Sequence, residues 1–184
     1  MGSKGEHPSL RYSLLDALLV IVGPTGVGKT EIAVNLVQEI KGEIISADSR
    51  QVYKYMSIGT AKPSVDLLMG APHHLIDIVF PDEIFNVADF KSRAEAIIQR
   101  LQAQDTLPIL VGGSGLYIRA VIDGLFVGPG TDWALRRRLK EREKTKGEGT
   151  LYQELQQIDP LTCSRLHPHD QRRIIRALEV YYLS

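Results

Sequence analysis

The sequence predicts an α/β fold in which helices cover both faces of a parallel β-sheet. Four short β-rich runs occupy residues 18–22, 43–47, 74–79 and 108–111, and long helical segments separate at least two pairs of them. Alternation of strand and helix is typical of parallel sheets covered by helices. Ligands of such sheets bind at the carboxyl ends of the strands. The loops that follow these runs are therefore the first places to examine for a site.

The first of these loops is rich in glycine and ends in a lysine and a threonine. A strand that ends in such a turn and opens a helix directs backbone N–H groups and the positive end of the helix dipole at one point. An amphipathic segment does follow, with apolar residues at helical spacing: Ile32, Ala33, Leu36, Val37 and Ile40. The pattern predicts a phosphate-binding loop for a pyrophosphate or polyphosphate, formed by Gly23, Pro24, Thr25, Gly26, Val27, Gly28, Lys29 and Thr30.

Two side chains of this loop have predicted roles beyond phosphate binding. The Thr30 hydroxyl is placed to reach a metal ion. The Thr25 hydroxyl is able to donate to a phosphate oxygen, although packing within the loop is an equally good explanation of a threonine there. The loop pattern alone does not choose between the two interpretations of Thr25.

Asp48 ends the second β-rich run, beside the predicted phosphate loop. A carboxylate in this position has two plausible functions: it holds magnesium, or it accepts a proton from a nucleophile. The structural alternative is a cap for the following turn, since Asp and Ser are favoured caps. These interpretations are compatible with one another.

The loop after the fourth run is Gly112-Gly113-Ser114-Gly115. Small residues permit close approach of the backbone to a ligand or another segment, and they also form tight turns between a strand and a helix. Both interpretations stay open. Together with the first two loops, this one is predicted to converge on a single edge of the sheet.

The length of 184 residues allows one α/β domain with a small appendage. We predict a flexible tail at residues 1–13, an α/β core at residues 14–126 and a helical part at residues 127–184, where the composition becomes charged and poor in strand formers. Cys163 has no cysteine partner, which predicts a reducing compartment. No segment has the apolar length of a membrane span, and we expect a soluble, cytoplasmic protein without a membrane partner.

The 22 basic and 22 acidic residues cancel, but the basic ones are clustered. Residues 136–146 include seven basic and two acidic residues, and a second cluster contains Arg172, Arg173 and Arg176. Arg172 and Arg176 share a helical face, while Ile174 and Ile175 are able to turn toward a core. A solvated helix surface explains the first cluster as well as a nucleic-acid contact does.

Two histidine pairs offer little as metal sites. His73 and His74 precede a β-rich run with Asp77 nearby, and His167 and His169 flank a proline. Neither pair has a third ligand at suitable spacing, so structural histidines are favoured.

Beyond these local patterns, a series of blocks along the chain resembles the tRNA dimethylallyltransferases, also called tRNA isopentenyltransferases. The resemblance covers about residues 18–180. The blocks that carry it are residues 23–30, 45–53, 58–63, 72–77, 89–90, 108–117, 123–125, 166–168, 170 and 176–180. The Ser-Ala-Asp-Ser and Gly-Gly-Ser-Gly-Leu-Tyr blocks make the resemblance far more specific than a phosphate loop alone.

The resemblance implies a P-loop NTPase-like core and a transferase activity that depends on Mg²⁺. The group transferred is dimethylallyl, from dimethylallyl diphosphate to the exocyclic amine of the tRNA adenine on the 3′ side of the anticodon. It makes Asp48 the catalytic base and gives Thr25 a contact with the leaving oxygen. It also implies contacts with the tRNA anticodon stem-loop at Asp48, Ser49, Arg50, Gln51, Ser114, Arg136, Arg172, Arg173, Ile174, Ile175 and Arg176.

Two departures from the family pattern are visible. Ser114 stands where threonine is more usual, which retains the hydroxyl. The chain is also shorter than the family's usual length of about three hundred residues by resemblance, so we expect an incomplete helical insertion and weak turnover. The alternatives are a small-molecule P-loop kinase that uses ATP and a non-catalytic RNA-binding module.

Overall fold

The computed structural model describes residues 17–126 and 128–184. The described residues form two compact units, which meet in the sequence at Leu125 and Phe126. The predicted tail at residues 1–13 and the predicted first residue of the helical part, Val127, lie outside the described residues. Among the residues described, no helix is both long enough and apolar enough to cross a membrane.

The first unit is built on a parallel sheet. In order along the chain, its elements are β1 (Leu19–Val22), α1 (Lys29–Glu39), β2 (Gly42–Ala47), α2 (Val65–Gly70), β3 (His73–His74), α3 (Val87–Ala103), β4 (Leu107–Gly112) and α4 (Gly115–Ile122). Within the described residues the sheet has four strands in the order β1-β4-β2-β3. All three strand pairs are parallel, and Ile45 of β2 is opposite Leu110 of β4.

Helices pack on both faces of this sheet, because side chains of a strand alternate between its faces. Ile45 and Leu110 point to the core formed with α3 and α4. Their neighbours Ile44 and Ile109 point to the opposite core, formed with α1 and α2. Both faces being buried explains why the strands are apolar throughout. The predicted P-loop α/β fold is confirmed.

The prediction for residues 74–79 is wrong in extent. The strand contains only His73–His74, followed by an isolated bridge between Val79 and Tyr53. Leu75 and Asp77 have φ values of 62° and 55°, which lie in the left-handed region and interrupt an extended chain. The apolar residues of this stretch therefore bury themselves without forming a continuous strand.

The amphipathic pattern after the glycine-rich loop does form a helix, with one correction. Ala33 and Val34 are buried in α1, and Leu36 and Val37 pack beside them. Ile32, predicted on the apolar face, is 57% exposed. The apolar face therefore keeps Ala33, Leu36 and Val37 from the prediction, and Val34 is buried where Ile32 was expected.

The second unit is helical in its described part. It consists of α5 (Trp133–Lys146), α6 (Thr150–Ile158), α7 (Pro160–Cys163) and α8 (Gln171–Leu183). One apolar core joins them: Leu135, Leu139, Leu151, Leu155, Cys163, Ile174, Ile175 and Leu178. Aspartate side chains cap α5 and α8, where Asp132 accepts a hydrogen bond from the Leu135 N–H and Asp170 accepts one from the Arg173 N–H.

Candidate active site

A cleft of about 230 Å³ opens at the carboxyl ends of β1, β2 and β4. The loops that follow these three strands line it, as the parallel topology predicts. Side chains and glycines of the lining include Thr25, Gly26, Gly28, Lys29, Thr30, Asp48, Gln51, Lys62, Ser64, His73, Gly112 and Gly113. The structure therefore brings together the glycine-rich loop and Asp48, which were predicted separately.

The glycine-rich loop has the backbone geometry of an anion site. Gly26 and Gly28 have φ values of 84° and 81°, which residues with a Cβ rarely adopt. Gly28 precedes α1, and no side chain of the described residues caps this helix. The first N–H groups of α1 thus remain available to a negatively charged ligand at the positive end of the helix dipole.

Lys29 lies folded back over the same loop. Its Nζ donates a hydrogen bond of 2.6 Å to the Pro24 carbonyl oxygen. The ammonium group is thereby held among the loop atoms that face the cleft. A bound phosphate offers it a stronger, charge-assisted partner than a neutral carbonyl.

Asp48 caps the turn that follows β2. Its Oδ1 accepts hydrogen bonds from the backbone N–H groups of Arg50, at 2.8 Å, and Gln51, at 3.4 Å. The structural alternative is therefore confirmed, and it does not exclude a chemical one. Among the described residues Oδ2 has no hydrogen-bond partner, and the carboxylate lines the cleft. One oxygen fixes the side chain and the other is free to act on a ligand.

The loop after β4 holds the Asp48 loop in place. The Ser114 N–H donates to the Ala47 carbonyl oxygen at 3.2 Å, and the Ser49 N–H donates to Ser114 Oγ at 3.0 Å. A Cβ on Gly112 would lie 2.1 Å from the Ala47 oxygen, so only glycine permits this approach. Residues 112–115 thus do both things that were predicted for small residues: their backbone approaches Ala47 closely, and they form the turn into α4.

Removal of the Ser114 hydroxyl should weaken the position of Asp48. We expect Ser114→Ala to leave the Ser49 N–H without its acceptor and to destabilise the first unit by about 1 kcal/mol. The measurement is urea denaturation followed by far-ultraviolet circular dichroism.

Ser114→Thr retains the hydroxyl and is expected to be nearly as stable as the parent. Ser92→Ala, on the exposed face of α3, is the matched control. Equal loss of stability in the alanine and threonine variants of Ser114 would contradict a role for the hydroxyl.

Residues 61–64 form a wall of the cleft, and this wall was not predicted. Lys62 donates to the Tyr53 carbonyl oxygen at 2.6 Å and to Asp77 Oδ1 at 2.5 Å, with only 6% of its side chain exposed. Gln51 accepts a hydrogen bond from the Ser46 hydroxyl at 3.0 Å and donates to the Ala61 carbonyl at 2.8 Å. These bonds join irregular segments rather than neighbours on one helix or strand, so no periodic pattern indicated the wall.

His73 also lines the cleft and is held as a neutral side chain. Its Nδ1 is 2.8 Å from the Ala71 carbonyl oxygen, so this nitrogen carries the proton. Burial lowers the pKa of His73, outweighing the opposite effect of the hydrogen bond to Ala71, and His74 adds to the lowering. Its Nε2 is buried without a partner among the described residues. The favoured structural assignment agrees with this geometry.

The predicted RNA-contact residues of the first unit differ in exposure. Ser49 and Arg50 are exposed beside the cleft. Gln51 is half-buried, and its amide is engaged in the wall described above. The hydroxyl of Ser114 is engaged with the Ser49 N–H. Ser49 and Arg50 are thus the two side chains of this group that present themselves to solvent.

In the second unit, two predicted RNA contacts are internal and two are paired. Ile174 and Ile175 are 1% and 3% exposed, so their side chains cannot reach an RNA, and the prediction for these two side chains is corrected. Arg136 and Arg176 both bind the carboxylate of the buried Glu179.

Most of the remaining basic residues of the two clusters face solvent, but Arg142 is half-buried and paired with Glu154. Arg172 and Arg173 are exposed at the start of α8. The exposed cations of α5 are Arg137, Arg138, Lys140, Lys144 and Lys146. Their exposure suits either a solvated surface or a contact with nucleic acid.

Comparison with known proteins relates the chain to a family. A family model described as IPP transferase matches residues 51–184. The chain is 52% identical over 167 residues to the tRNA dimethylallyltransferase of Desulforudis audaxviator (strain MP104C), covering 91% of the chain and 54% of that relative. It is 52% identical over 164 residues to tRNA dimethylallyltransferase 2 of Geotalea uraniireducens (strain Rf4), covering 89% of the chain and 53% of that relative.

Solved structures give the same relation. The full-length tRNA isopentenylpyrophosphate transferase from Bacillus halodurans is 45% identical with a TM-score of 0.61, covering 92% of the chain and 56% of that protein. A eukaryotic dimethylallyltransferase acting on tRNA is 30% identical with a TM-score of 0.70, covering 89% of the chain and 41% of that protein. The chain spans about half the length of the curated relatives it matches. Because the family model matches more than half of the chain, the chain belongs to the IPP transferase family.

Proposed function

We propose that the chain transfers a dimethylallyl group from dimethylallyl diphosphate to the exocyclic amine of the tRNA adenine on the 3′ side of the anticodon. The observation that carries this proposal is the cleft in which an uncapped helix N-terminus faces a carboxylate. The helix N-terminus suits a diphosphate, and the carboxylate suits a general base that accepts a proton. The names of the relatives, tRNA dimethylallyltransferases, support the choice of reaction.

The glycine-rich loop would hold the diphosphate. Backbone N–H groups at the start of α1 bind its oxygens, and Lys29 moves from the Pro24 carbonyl to a phosphate oxygen. Thr25 is exposed in the loop and lines the cleft, where its hydroxyl contacts the oxygen that leaves with the diphosphate. Donors fixed around a developing negative charge stabilise the transition state, which is a large term in such transfers.

Asp48 would act as the general base. The amine nitrogen attacks the primary carbon of the dimethylallyl group, the bond from that carbon to the diphosphate oxygen breaks, and pyrophosphate leaves with the electron pair. The proton lost by the amine passes to the Asp48 carboxylate. Oδ1 keeps its bonds to the turn, which leaves Oδ2 to take the proton.

Magnesium fits the oxygen ligands at this site. The Thr30 hydroxyl lines the cleft next to the proposed diphosphate site, and Mg²⁺ is usually bound by few protein oxygens together with phosphates and water. Thr30 would hold the ion with the oxygens of the donor. When bound, magnesium neutralises charge on the leaving diphosphate.

The anticodon stem-loop is the proposed acceptor substrate. Ser49 and Arg50 lie exposed beside the cleft, and Arg172 and Arg173 are exposed on the second unit. Cations of this kind bind phosphates and make affinity dependent on salt. The target adenine must leave its stack to reach a carboxylate in a cleft, as bases do in other enzymes that modify them.

A transfer assay with competing donors tests this proposal. The 184-residue chain is placed in excess over an anticodon stem-loop with Mg²⁺ and labelled dimethylallyl diphosphate, so that even slow turnover is detected. We expect label in the RNA, and tighter binding of dimethylallyl diphosphate than of ATP. Tighter binding of ATP with no transfer of the prenyl label would overturn the proposal and favour a kinase. Salt-sensitive RNA binding without affinity for either donor would favour a non-catalytic RNA-binding module.

A further inference from the structure

An exposed pair of aromatic side chains stands on the first unit, outside the cleft lining. The ring centroids of Tyr55 and Phe80 are 6.2 Å apart, and these residues are 83% and 43% exposed. The ammonium group of Lys54 lies 4.1 Å from the centroid of the Phe80 ring. We call these three residues, Lys54, Tyr55 and Phe80, the aromatic platform.

The platform is joined by backbone hydrogen bonds to the segment that follows Asp48. The Asp77 N–H donates to the Gln51 carbonyl at 3.0 Å, and the Ile78 N–H donates to the Val52 carbonyl at 2.8 Å. The Lys54 N–H then donates to the Val79 carbonyl at 2.8 Å. The two segments therefore run side by side from the Asp48 loop to Tyr55 and Phe80. This connection fixes the platform relative to the candidate active site.

Tyr55 is held in an unfavourable backbone conformation. Its φ is 62°, in the left-handed region that a residue with a large side chain seldom adopts. Strain of this kind persists where the surrounding structure enforces it, and it is concentrated at ligand-binding positions. Here the strained residue is one of the most exposed aromatic residues of the first unit's described part, so core packing does not explain it.

The cation that touches the platform rings favours a ligand with phosphates. The ammonium group of Lys54 lies over the Phe80 ring, and a second cation, Arg50, is exposed in the adjoining segment. Two acidic residues, Asp82 and Glu83, lie in the loop after Phe80. The carboxylate of Glu83 is engaged, since it accepts a hydrogen bond from the Phe80 N–H at 2.7 Å.

Exposed flat rings next to cations are the features with which proteins bind unpaired nucleotides. Every base offers a face for stacking on an aromatic ring, while lysine and arginine bind the adjoining phosphates. Sequence-specific RNA recognition also targets unstacked bases in loops rather than paired stems. A purely apolar partner would gain nothing from the ammonium group over the Phe80 ring.

We propose that the aromatic platform binds an unpaired nucleotide of the RNA substrate, with its base stacked on the Tyr55 ring and its phosphate near Lys54. The Phe80 ring, which is inclined by 42° to that of Tyr55, contacts the edge of the base. This inference rests on the proposed function, since it assigns a second RNA contact to the same substrate. The bound nucleotide is a neighbour of the target adenine. Its binding to the platform holds the RNA loop open while the adenine enters the cleft.

Binding of a fluorescent anticodon stem-loop to the 184-residue chain tests the platform. We expect Tyr55→Ala and Phe80→Leu each to weaken binding about tenfold, as stacking contacts do. Tyr55→Phe keeps the ring and should bind within twofold of the parent. Lys54→Ala should reduce the slope of log affinity against log salt by about one unit. Met69→Ala, which removes an equally exposed apolar side chain from α2, is the matched control and should have no effect.

Each variant is also tested for binding of dimethylallyl diphosphate, which should be unchanged. Unchanged RNA affinity in both Tyr55→Ala and Phe80→Leu would overturn the platform, while Asp48-dependent transfer by the same variants would leave the proposed function intact. Parental RNA affinity in Phe80→Leu together with weakened RNA affinity in Tyr55→Phe would also contradict stacking of a base on the rings. Loss of donor binding and RNA binding together, with earlier thermal unfolding, would show a structural effect and also contradict a specific RNA contact.

Discussion

Asp48→Asn is expected to lower the rate of dimethylallyl transfer between about 100- and 10,000-fold, the usual contribution of a general base. Asparagine keeps a side-chain oxygen for the N–H groups of Arg50 and Gln51, so the turn after β2 should remain folded. It cannot accept the proton of the attacking amine. The substitution therefore separates the capping role of Asp48 from its chemical role. Asp48→Ala would remove both roles at once.

The measurement is the single-turnover rate with labelled donor and an anticodon stem-loop, together with the affinity for the donor. Donor affinity should change little, because the loop amides and Lys29 are intact. Asp66→Asn, at an exposed position in the first turn of α2, is the matched control. If Asp48→Asn transferred the label at a rate within threefold of the parent, Asp48 would be a cap and not the base.

Glu179→Gln is expected to destabilise the second unit by about 3 kcal/mol at pH 7. Glu179 is completely buried. Its Oε1 accepts hydrogen bonds from the Asp132 N–H and Arg136 Nε, both at 2.8 Å. Its Oε2 accepts from Arg136 at 2.7 Å and Arg176 at 2.5 Å. Glutamine lacks the charge and replaces one acceptor oxygen with a donor, which leaves both guanidinium groups without their anion.

The contribution of Glu179 should depend on pH in a defined direction. Burial alone would raise its pKa, but the hydrogen bonds from Arg136, Arg176 and the Asp132 N–H outweigh burial and lower the pKa from 4.5 to about 2. A lowered pKa means that the stabilisation is fully present above pH 4.5 and is lost as the pH falls toward 2. The difference in stability between parent and variant should shrink over that interval.

Urea denaturation followed by the fluorescence of Trp133, the single tryptophan of the chain, reports on the second unit. Glu148→Gln is the matched control, since Glu148 makes a surface contact with His169 and both side chains are largely exposed. Such pairs contribute little, and we expect a change below 1 kcal/mol. A difference for Glu179→Gln that stayed constant from pH 7 to pH 2 would contradict the assignment to the carboxylate charge.

The ion pairs of Glu179 also change the interpretation of the basic clusters. The sequence shows Arg136 and Arg176 as members of two exposed clusters with a possible role in RNA binding. In the structure both arginines donate hydrogen bonds to the buried carboxylate of Glu179, and Arg176 also donates to the Pro129 carbonyl at 3.0 Å. Arg172 and Arg173, on the same helix, stay exposed. Helical spacing does offer Glu179 as an i,i+3 partner of Arg176. It offers no such partner to Arg136, because Glu179 is 43 residues away from it in the sequence.

The candidate site also has parts that the sequence predicts and parts that it does not. The glycine-rich loop and Asp48 were predictable because each depends on neighbours in sequence: a strand, a turn and the start of a helix. The wall at residues 61–64 and the bond between Ser49 and Ser114 were not predictable. Lys62 of the wall bonds to Tyr53 and Asp77 across irregular segments that show no periodic pattern. The bond between Ser49 and Ser114 joins positions 65 residues apart and exists only once β2 and β4 lie side by side.

The sequence by itself determined the fold class and the positions of the glycine-rich loop and of the carboxylate after β2, since strand, turn and helix signals are local and the parallel topology then fixes which loops meet. Tertiary structure alone decided the length of β3, where positive φ values at Leu75 and Asp77 override an apolar pattern. It also decided which arginines stay exposed at the start of α8 and which surround the buried Glu179. The physical reason is that burial and charge pairing depend on the whole chain, whereas backbone propensity depends on a few neighbouring residues.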